Sequence, residues 1–249
     1  MVDKNLSVLI PFYNEEKTLA KTVQRIFDTD PDNRFIYIFI DDGSTDHSRE
    51  LLDEVLNDKK LRAIRINLDK NLGKAFAVKS ALDLVSTTHF AILDADLELD
   101  PSDLHKMWNF VENQSADAVF GFRRFLSHSS FTYRYTLGNR FISNWFGIFY
   151  NVVHTDIMCG LKIVPLNLVK KEGLRLRRFA IEIELPIVLW KNNVRVYEVE
   201  VDYSPRGWQD GKVIGFRDAS YILFAIIARR LFFDRKEKIR LTATGDIKR

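Results

Sequence analysis

Along the first half of the chain, short and nearly continuous apolar runs alternate with longer stretches in which apolar residues return every three or four positions. Residues 6–10, 35–40 and 89–93 are runs of the first kind. The run at 35–40, Phe-Ile-Tyr-Ile-Phe-Ile, is β-branched and aromatic throughout, the signature of a strand buried on both faces. Residues 61–66 read as a further strand. Leu19, Val23, Ile26 and Phe27 share one helical face behind Asn14, which is expected to act as the N-cap. Leu51, Leu52, Val55 and Leu56 mark a second helix and residues 73–84 a third. Asp100 followed by Pro101 reads as the cap and first position of a fourth helix, and residues 116–120 as a fifth strand closed by Gly121. Strands alternating with helices predict an α/β fold, a mostly parallel central sheet flanked by crossover helices.

Beyond residue 121 the rhythm changes. An aromatic and basic helix-like stretch covers 122–153, followed by a short strand at 161–164, a helix at 181–190, a strand at 194–201 and a closing helix at 218–233. With no repeat or linker visible, one domain over residues 1–249 is expected. A hydrophobic fraction of 46% supports a full core, and 37 basic against 34 acidic side chains, net +3, is too balanced for a disordered tail or a dedicated nucleic-acid binder. Cys159 stands alone, so no internal disulfide forms, a cytoplasmic location is expected, and Cys159 itself reads as a small buried apolar residue. The apolar run before Pro11 is too short for a signal peptide. The stretch at 221–233 is broken by Arg229 and Arg230 and falls short of the roughly 20 residues that span a bilayer. Those two arginines, with Arg235, Lys236, Lys238 and Arg240, nevertheless give the closing helix and tail a local positive bias. Its apolar face suits the domain core, a homodimer interface or an anionic membrane surface.

In open parallel sheets, ligands sit beyond the carboxyl ends of the strands. Three such ends are rich in polar groups: Pro11-Phe12-Tyr13-Asn14-Glu15, Asp41-Asp42-Gly43-Ser44-Thr45-Asp46 and Asp94-Ala95-Asp96-Leu97-Glu98. None carries the Gly-x-Gly-x-x-Gly of a dinucleotide fold or the Gly-Lys-Ser/Thr of a phosphate loop, which counts against NAD enzymes and P-loop ATPases. Taken singly, each is also an ordinary helix cap or turn. If the chain stays extended, however, Asp94, Asp96 and Glu98 project to one side, and a divalent cation would relieve their repulsion. All-oxygen ligands point to Mg²⁺ or Mn²⁺, with the remaining positions filled by water and substrate phosphates.

PFYNEE at 11–16, FIDDGSTD at 39–46, NLDKNLGKAFAVKSAL at 67–82 and ILDADLELDP at 92–101 resemble the successive signatures of GT-A fold, family 2 glycosyltransferases. Among these the chain looks most similar to the polyprenyl-phosphate (dolichol-phosphate) mannosyl- and glucosyltransferases. The second half matches more loosely, through Gly121-Phe-Arg123, Cys159-Gly-Leu-Lys162, Glu182-Ile-Glu184 and Tyr203-Ser-Pro-Arg206. The resemblance implies a nucleotide- and metal-binding half at 1–121, an acceptor half at 122–215, and an amphipathic helix with a basic tail at 216–249. It places Pro11, Tyr13, Glu15, Asp41, Asp42 and Lys74 on the nucleotide, and Asp94, Asp96 and Glu98 on a metal that grips the diphosphate. Relatives usually have Gln where this chain has Glu98.

The implied reaction is an inverting transfer of mannose or glucose from GDP-mannose or UDP-glucose to a polyprenyl phosphate at the cytoplasmic membrane face, with Mn²⁺ or Mg²⁺. A metal neutralises the leaving diphosphate, and Asp94 and Asp96, with Asp156, are the expected catalytic carboxylates. Asp156 and Glu182 are base candidates if the acceptor is a hydroxyl, although Glu182 reads better as an ion-pair partner; an ionised phosphate acceptor needs no base. Arg123, Arg134, Arg140, Arg206 and Lys212 are candidates for an acceptor phosphate. Arg206 and Lys212 flank Gly207 and Gly211 in what reads as a closing loop. A hydroxyl acceptor, or a non-catalytic nucleotide-binding module, are the alternatives.

Overall fold

The computed structural model describes residues 4–59, 61–113, 115–123, 133–175, 178–205 and 215–233. In chain order the elements are β1 (Leu6–Phe12), α1 (Leu19–Thr29), β2 (Ile36–Asp41), α2 (Ser48–Lys59), β3 (Ala63–Asn67), α3 (Lys74–Ala81), β4 (His89–Ile92) and α4 (Ser102–Glu112). They continue with β5 (Ala118–Arg123), α5 (Tyr133–Tyr150), β6 (Lys162–Pro165), α6 (Leu166–Glu172), α7 (Ile181–Lys191), β7 (Val196–Val201) and α8 (Phe216–Ala228), which a π-helical turn over Arg229–Phe233 extends.

The strands form one sheet in the order β3-β2-β1-β4-β6-β5-β7. Every neighbouring pair is parallel except those of β6, which lies antiparallel between β4 and β5. The chain thus steps outward from β1 to β3 and returns to β4 on the other side of β1. That reversal opens a crevice at the carboxyl ends of β1 and β4.

The apolar runs are continuous because the central strands are covered on both faces. Leu6, Val8 and Ile10 of β1 pack against Leu19, Val23 and Ile26 of α1 and against Leu104 and Trp108 of α4. Leu9 points the other way, into the group formed by Ala77 and Val78 of α3 and Leu185 and Val188 of α7. A third cluster joins Ile142 and Phe146 of α5, Ile183 and Ile187 of α7, and Ile222 and Ile226 of α8. The apolar face of the closing helix is therefore seated in part on the domain's own core.

Several local expectations change. Asn14 does not cap α1, which begins at Leu19; its backbone is left-handed (φ 54°) and its side chain turns toward the loop after β2. Asp100 does cap, its Oδ1 accepting from Ser102 N at 2.8 Å. The helix-like stretch at 122–153 yields α5, and α6 is an addition that its short length hid from periodicity. Arg229, expected among the membrane-facing cations, is 2% exposed and turned inward toward Glu184 of α7, with Nη2–Oε1 at 3.7 Å. Its neighbour Arg230 lies over the Trp190 ring at 4.7 Å and donates to the Phe149 carbonyl. Among the described residues, no helix is long and apolar enough to cross a membrane.

Candidate active site

The loops after β1, β2 and β3 are tied together at the open edge of the sheet. Asn14 N donates to Ser44 Oγ at 3.0 Å, Asn14 Oδ1 accepts from Thr45 N at 2.8 Å, and Glu15 N donates to Ser48 Oγ at 2.8 Å. Asp41 is fully buried: Arg49 reaches its Oδ2 through Nη2 and Nε at 2.6 and 2.9 Å, and Ser44 N reaches its Oδ1 at 2.8 Å. Asp42 accepts from Leu72 N at 2.9 Å and Gly73 N at 2.7 Å, which fixes the chain entering α3. The next residue, Gly43, is left-handed (φ 73°), and a Cβ there would stand 2.5 Å from the Lys70 carbonyl carbon. Only glycine fits. Asp41 and Asp42, two of the three carboxylates expected on the nucleotide, thus hold the loops at this edge of the sheet. Pro11 is buried within β1, while Tyr13 and Glu15 are half-buried at its mouth.

The acidic turn after β4 does not stay extended. The chain turns at Ala95 and Asp96, and Leu97 adopts φ 64°. Asp94 faces Lys74, with Nζ 2.7 Å from Oδ1 and 2.8 Å from Oδ2. Asp96 Oδ1 accepts from Glu98 N at 3.1 Å. Glu98 accepts the Tyr203 hydroxyl at 3.0 Å, and its carbonyl accepts Ser204 N at 2.8 Å. Among the described residues, no three His, Cys, Asp or Glu side chains are grouped to hold a metal ion. The expectation that an extended chain projects all three to one side is therefore not met: alternation puts side chains on one side only in a strand, and here the strand has ended. Glu98 instead anchors the segment after β7. Its hydrogen bond helps burial push the Tyr203 hydroxyl up to about 12. Accordingly, Glu98→Gln should leave Mn²⁺ affinity within about twofold, because an amide oxygen still accepts that bond. Calorimetric titration checks this, and a tenfold loss would place Glu98 in the ligand set.

Lys74 is enclosed between two carboxylates, Asp94 and Glu182, the latter at 2.8 Å. Burial works against its charge, but the two acids outweigh it and hold its pKa above the ordinary lysine value. Lys162 Nζ reaches the other Glu182 oxygen at 2.5 Å. Glu182 is thus an ion-pair partner, as its sequence context favoured.

Asp156 is likewise engaged. Arg123 Nε and Nη2 contact its two oxygens at 2.6 and 2.9 Å, and the guanidinium lies 5.1 Å from the centre of the Tyr203 ring. Burial disfavours the charge on Arg123, and Asp156 more than restores it. Both oxygens of Asp156 are thus given to the guanidinium. Cys159 is buried beside this pair, and burial pushes its thiol up to about 12. Arg140 is exposed on α5. The Arg134 side chain, Arg206 and Lys212 lie outside the described residues. Sequence reasoning missed Arg49, whose place as the second residue of α2 gives no sign that it serves Asp41, and the link from Tyr203 to Glu98.

Comparison with known proteins fits this geometry. Residues 7–162 match the family described as Glycosyl transferase family 2. An uncharacterized protein of Methanocaldococcus jannaschii is 29% identical over 214 residues, 78% of this chain and 87% of that protein. Dodecaprenyl-phosphate galacturonate synthase of Rhizobium johnstonii is 27% identical over 67% of this chain, which spans 49% of that enzyme. Undecaprenyl-phosphate 4-deoxy-4-formamido-L-arabinose transferase of Yersinia pestis is 32% identical over 44% of this chain, which spans 34% of that enzyme. Among solved structures, mannosyl-3-phosphoglycerate synthase from Rubrobacter xylanophilus superposes with a TM-score of 0.72 at 17% identity, covering 93% of this chain and 75% of that one. Glucosyl-3-phosphoglycerate synthase from Mycobacterium tuberculosis, crystallised with Mn²⁺, UDP and phosphoglyceric acid, gives 0.66 at 17% identity, covering 91% and 78%. These neighbours share the GT-A fold.

Proposed function

The chain belongs to glycosyl transferase family 2, and on that premise we propose that it moves a hexose, mannose or glucose, from GDP-mannose or UDP-glucose to a polyprenyl phosphate, inverting the anomeric carbon. The observation that carries the choice of acceptor is the Arg123–Asp156 pair. A hydroxyl acceptor needs a base, and the base candidate is held by a guanidinium; a phosphate acceptor arrives ionised and needs a cation. Arg123 supplies one within a buried, oriented fork.

On the donor side, two of the expected ligands still suit a hard divalent ion, since Asp94 and Asp96 offer oxygen atoms on one turn at the crevice. They would hold Mg²⁺ or Mn²⁺ together with oxygens of the donor diphosphate. That ion supplies charge neutralisation to the leaving nucleotide. Tyr13, Glu15 and the loops held by Asp41 and Asp42 would seat the nucleotide, with Lys74 oriented toward the same acidic turn. All three segments of residues 1–249 would act as a single catalytic domain.

A lipid acceptor places the reaction at a membrane surface. Ile148 on α5 is 72% exposed and Phe224 on α8 is 65% exposed, with Leu137 and Phe141 also outward. Such exposed apolar side chains, in a chain whose sequence ends in a basic segment, suit peripheral attachment to the cytoplasmic face. The test is nucleotide release from each donor with and without a polyprenyl phosphate in anionic or neutral liposomes. Release is expected only with the lipid and a divalent ion, with sedimentation on anionic liposomes that fades with salt and with Lys236→Glu plus Lys238→Glu. Equal turnover with a soluble sugar acceptor would favour the hydroxyl reading instead.

A further inference from the structure

Behind the donor crevice lies a buried pair of opposite charges, Lys162 at the start of β6 and Glu182 in the first turn of α7. Lys162 is 0% exposed and Glu182 is 3% exposed. Lys162 Nζ donates to the Cys159 carbonyl and to Glu182 Oε2, and lies 5.4 Å from the centre of the Phe120 ring. Glu182 Oε1 receives Lys74 Nζ at 2.8 Å, and the same ammonium reaches Asp94 at 2.7 Å. Charges of alternating sign therefore run from the core to the acidic turn: Lys162, Glu182, Lys74, Asp94.

We propose that Lys162 and Glu182 are positioning residues for sugar transfer, fixing the Lys74 ammonium against Asp94 and so setting the orientation of that carboxylate at the donor site. The inference rests on the donor-site reading of Asp94. Three considerations carry it. A buried ion pair adds little stability over apolar packing of equal volume, but it holds a geometry tightly. Lysine sits on a flexible four-carbon stem, so its head stays in one place only when its donors are captured. The backbone also closes on the same contact, since a Cβ on Gly160 would stand 2.6 Å from Asp94 Oδ2 and 3.3 Å from Lys74 Nζ. Gly160 lies two residues before Lys162, so the short segment entering β6 presents both supports together.

Glu182→Gln alone leaves Lys162 facing no carboxylate, so it is paired with Lys162→Met, which removes one charge of each sign. Two measurements are made on the full chain. The first is the rate at which acetic anhydride labels Lys74 without donor or metal, followed by peptide mass spectrometry. The second is kcat and donor KM for nucleotide release. The double variant should melt within a few degrees of the parent, label Lys74 about tenfold faster, and lose about tenfold or more in kcat with a smaller change in KM. Unchanged labelling, or faster labelling with unchanged kcat, overturns the proposal. Failure of both the single and the double variant to fold also overturns it, because the pair is then purely structural. If the parent chain releases no nucleotide from any donor while labelling still responds, the donor-site reading has failed and the Lys74 support stands.

Discussion

Asp96→Asn should lower the rate of sugar transfer by about a hundredfold to a thousandfold and leave thermal unfolding unchanged. Asp96 is half-exposed, and the hydrogen bond that Glu98 N makes to its Oδ1 survives in the amide. What is lost is an anionic oxygen at the crevice, and losing one preorganised electrostatic contact to developing charge costs about that much. Asp94→Asn should be as damaging to activity but not neutral to folding. Its carboxylate is one of two that hold the enclosed Lys74 ammonium, so the change costs roughly 2 kcal/mol, the worth of a charge-assisted hydrogen bond. For a domain of this size the melting temperature falls by about 5 °C. Nucleotide-release kinetics with scanning fluorimetry separates the two variants. Full turnover in Asp96→Asn, or in the parent chain with excess chelator, would remove the metal from the mechanism.

Asp156→Asn should be the more destabilising of the site substitutions. The Arg123 and Asp156 side chains are 13% and 0% exposed, so the pair is buried and bidentate, and removing its negative member takes a two-point counter-charge from an interior guanidinium. Breaking such a pair costs about 3–5 kcal/mol, which lowers the melting temperature by about 10 °C. Transfer to a phosphate acceptor should fall as well, because Arg123 loses the fork that orients it. The opposite result is equally informative. A variant that melts like the parent, yet loses the acidic limb of its pH–rate profile, would mark Asp156 as a general base and shift the acceptor to a hydroxyl.

The glycosyltransferase fold and its open sheet edge were legible in the sequence because their signals are local. The run at residues 35–40 states a doubly covered strand in its own side chains, and the spacing of Leu19, Val23 and Ile26 states a helix face. The oxygen-rich strand ends likewise named where a ligand would bind. By contrast, the partners of those oxygens are set by residues remote in sequence. Glu182 meets Lys74 across a separation of 108 residues, Tyr203 meets Glu98 across 105, and Asp156 meets Arg123 across 33. The antiparallel insertion of β6, which carries Lys162 under the crevice, has no local signature either, nor does the inward turn of Arg229. An acidic residue in a sequence has an available charge, but whether that charge faces a ligand, a buried cation or a backbone amide depends on which neighbours folding brings within hydrogen-bond reach. Periodicity records which residues must leave water; the pairing of buried charges is decided only once distant segments have been packed together.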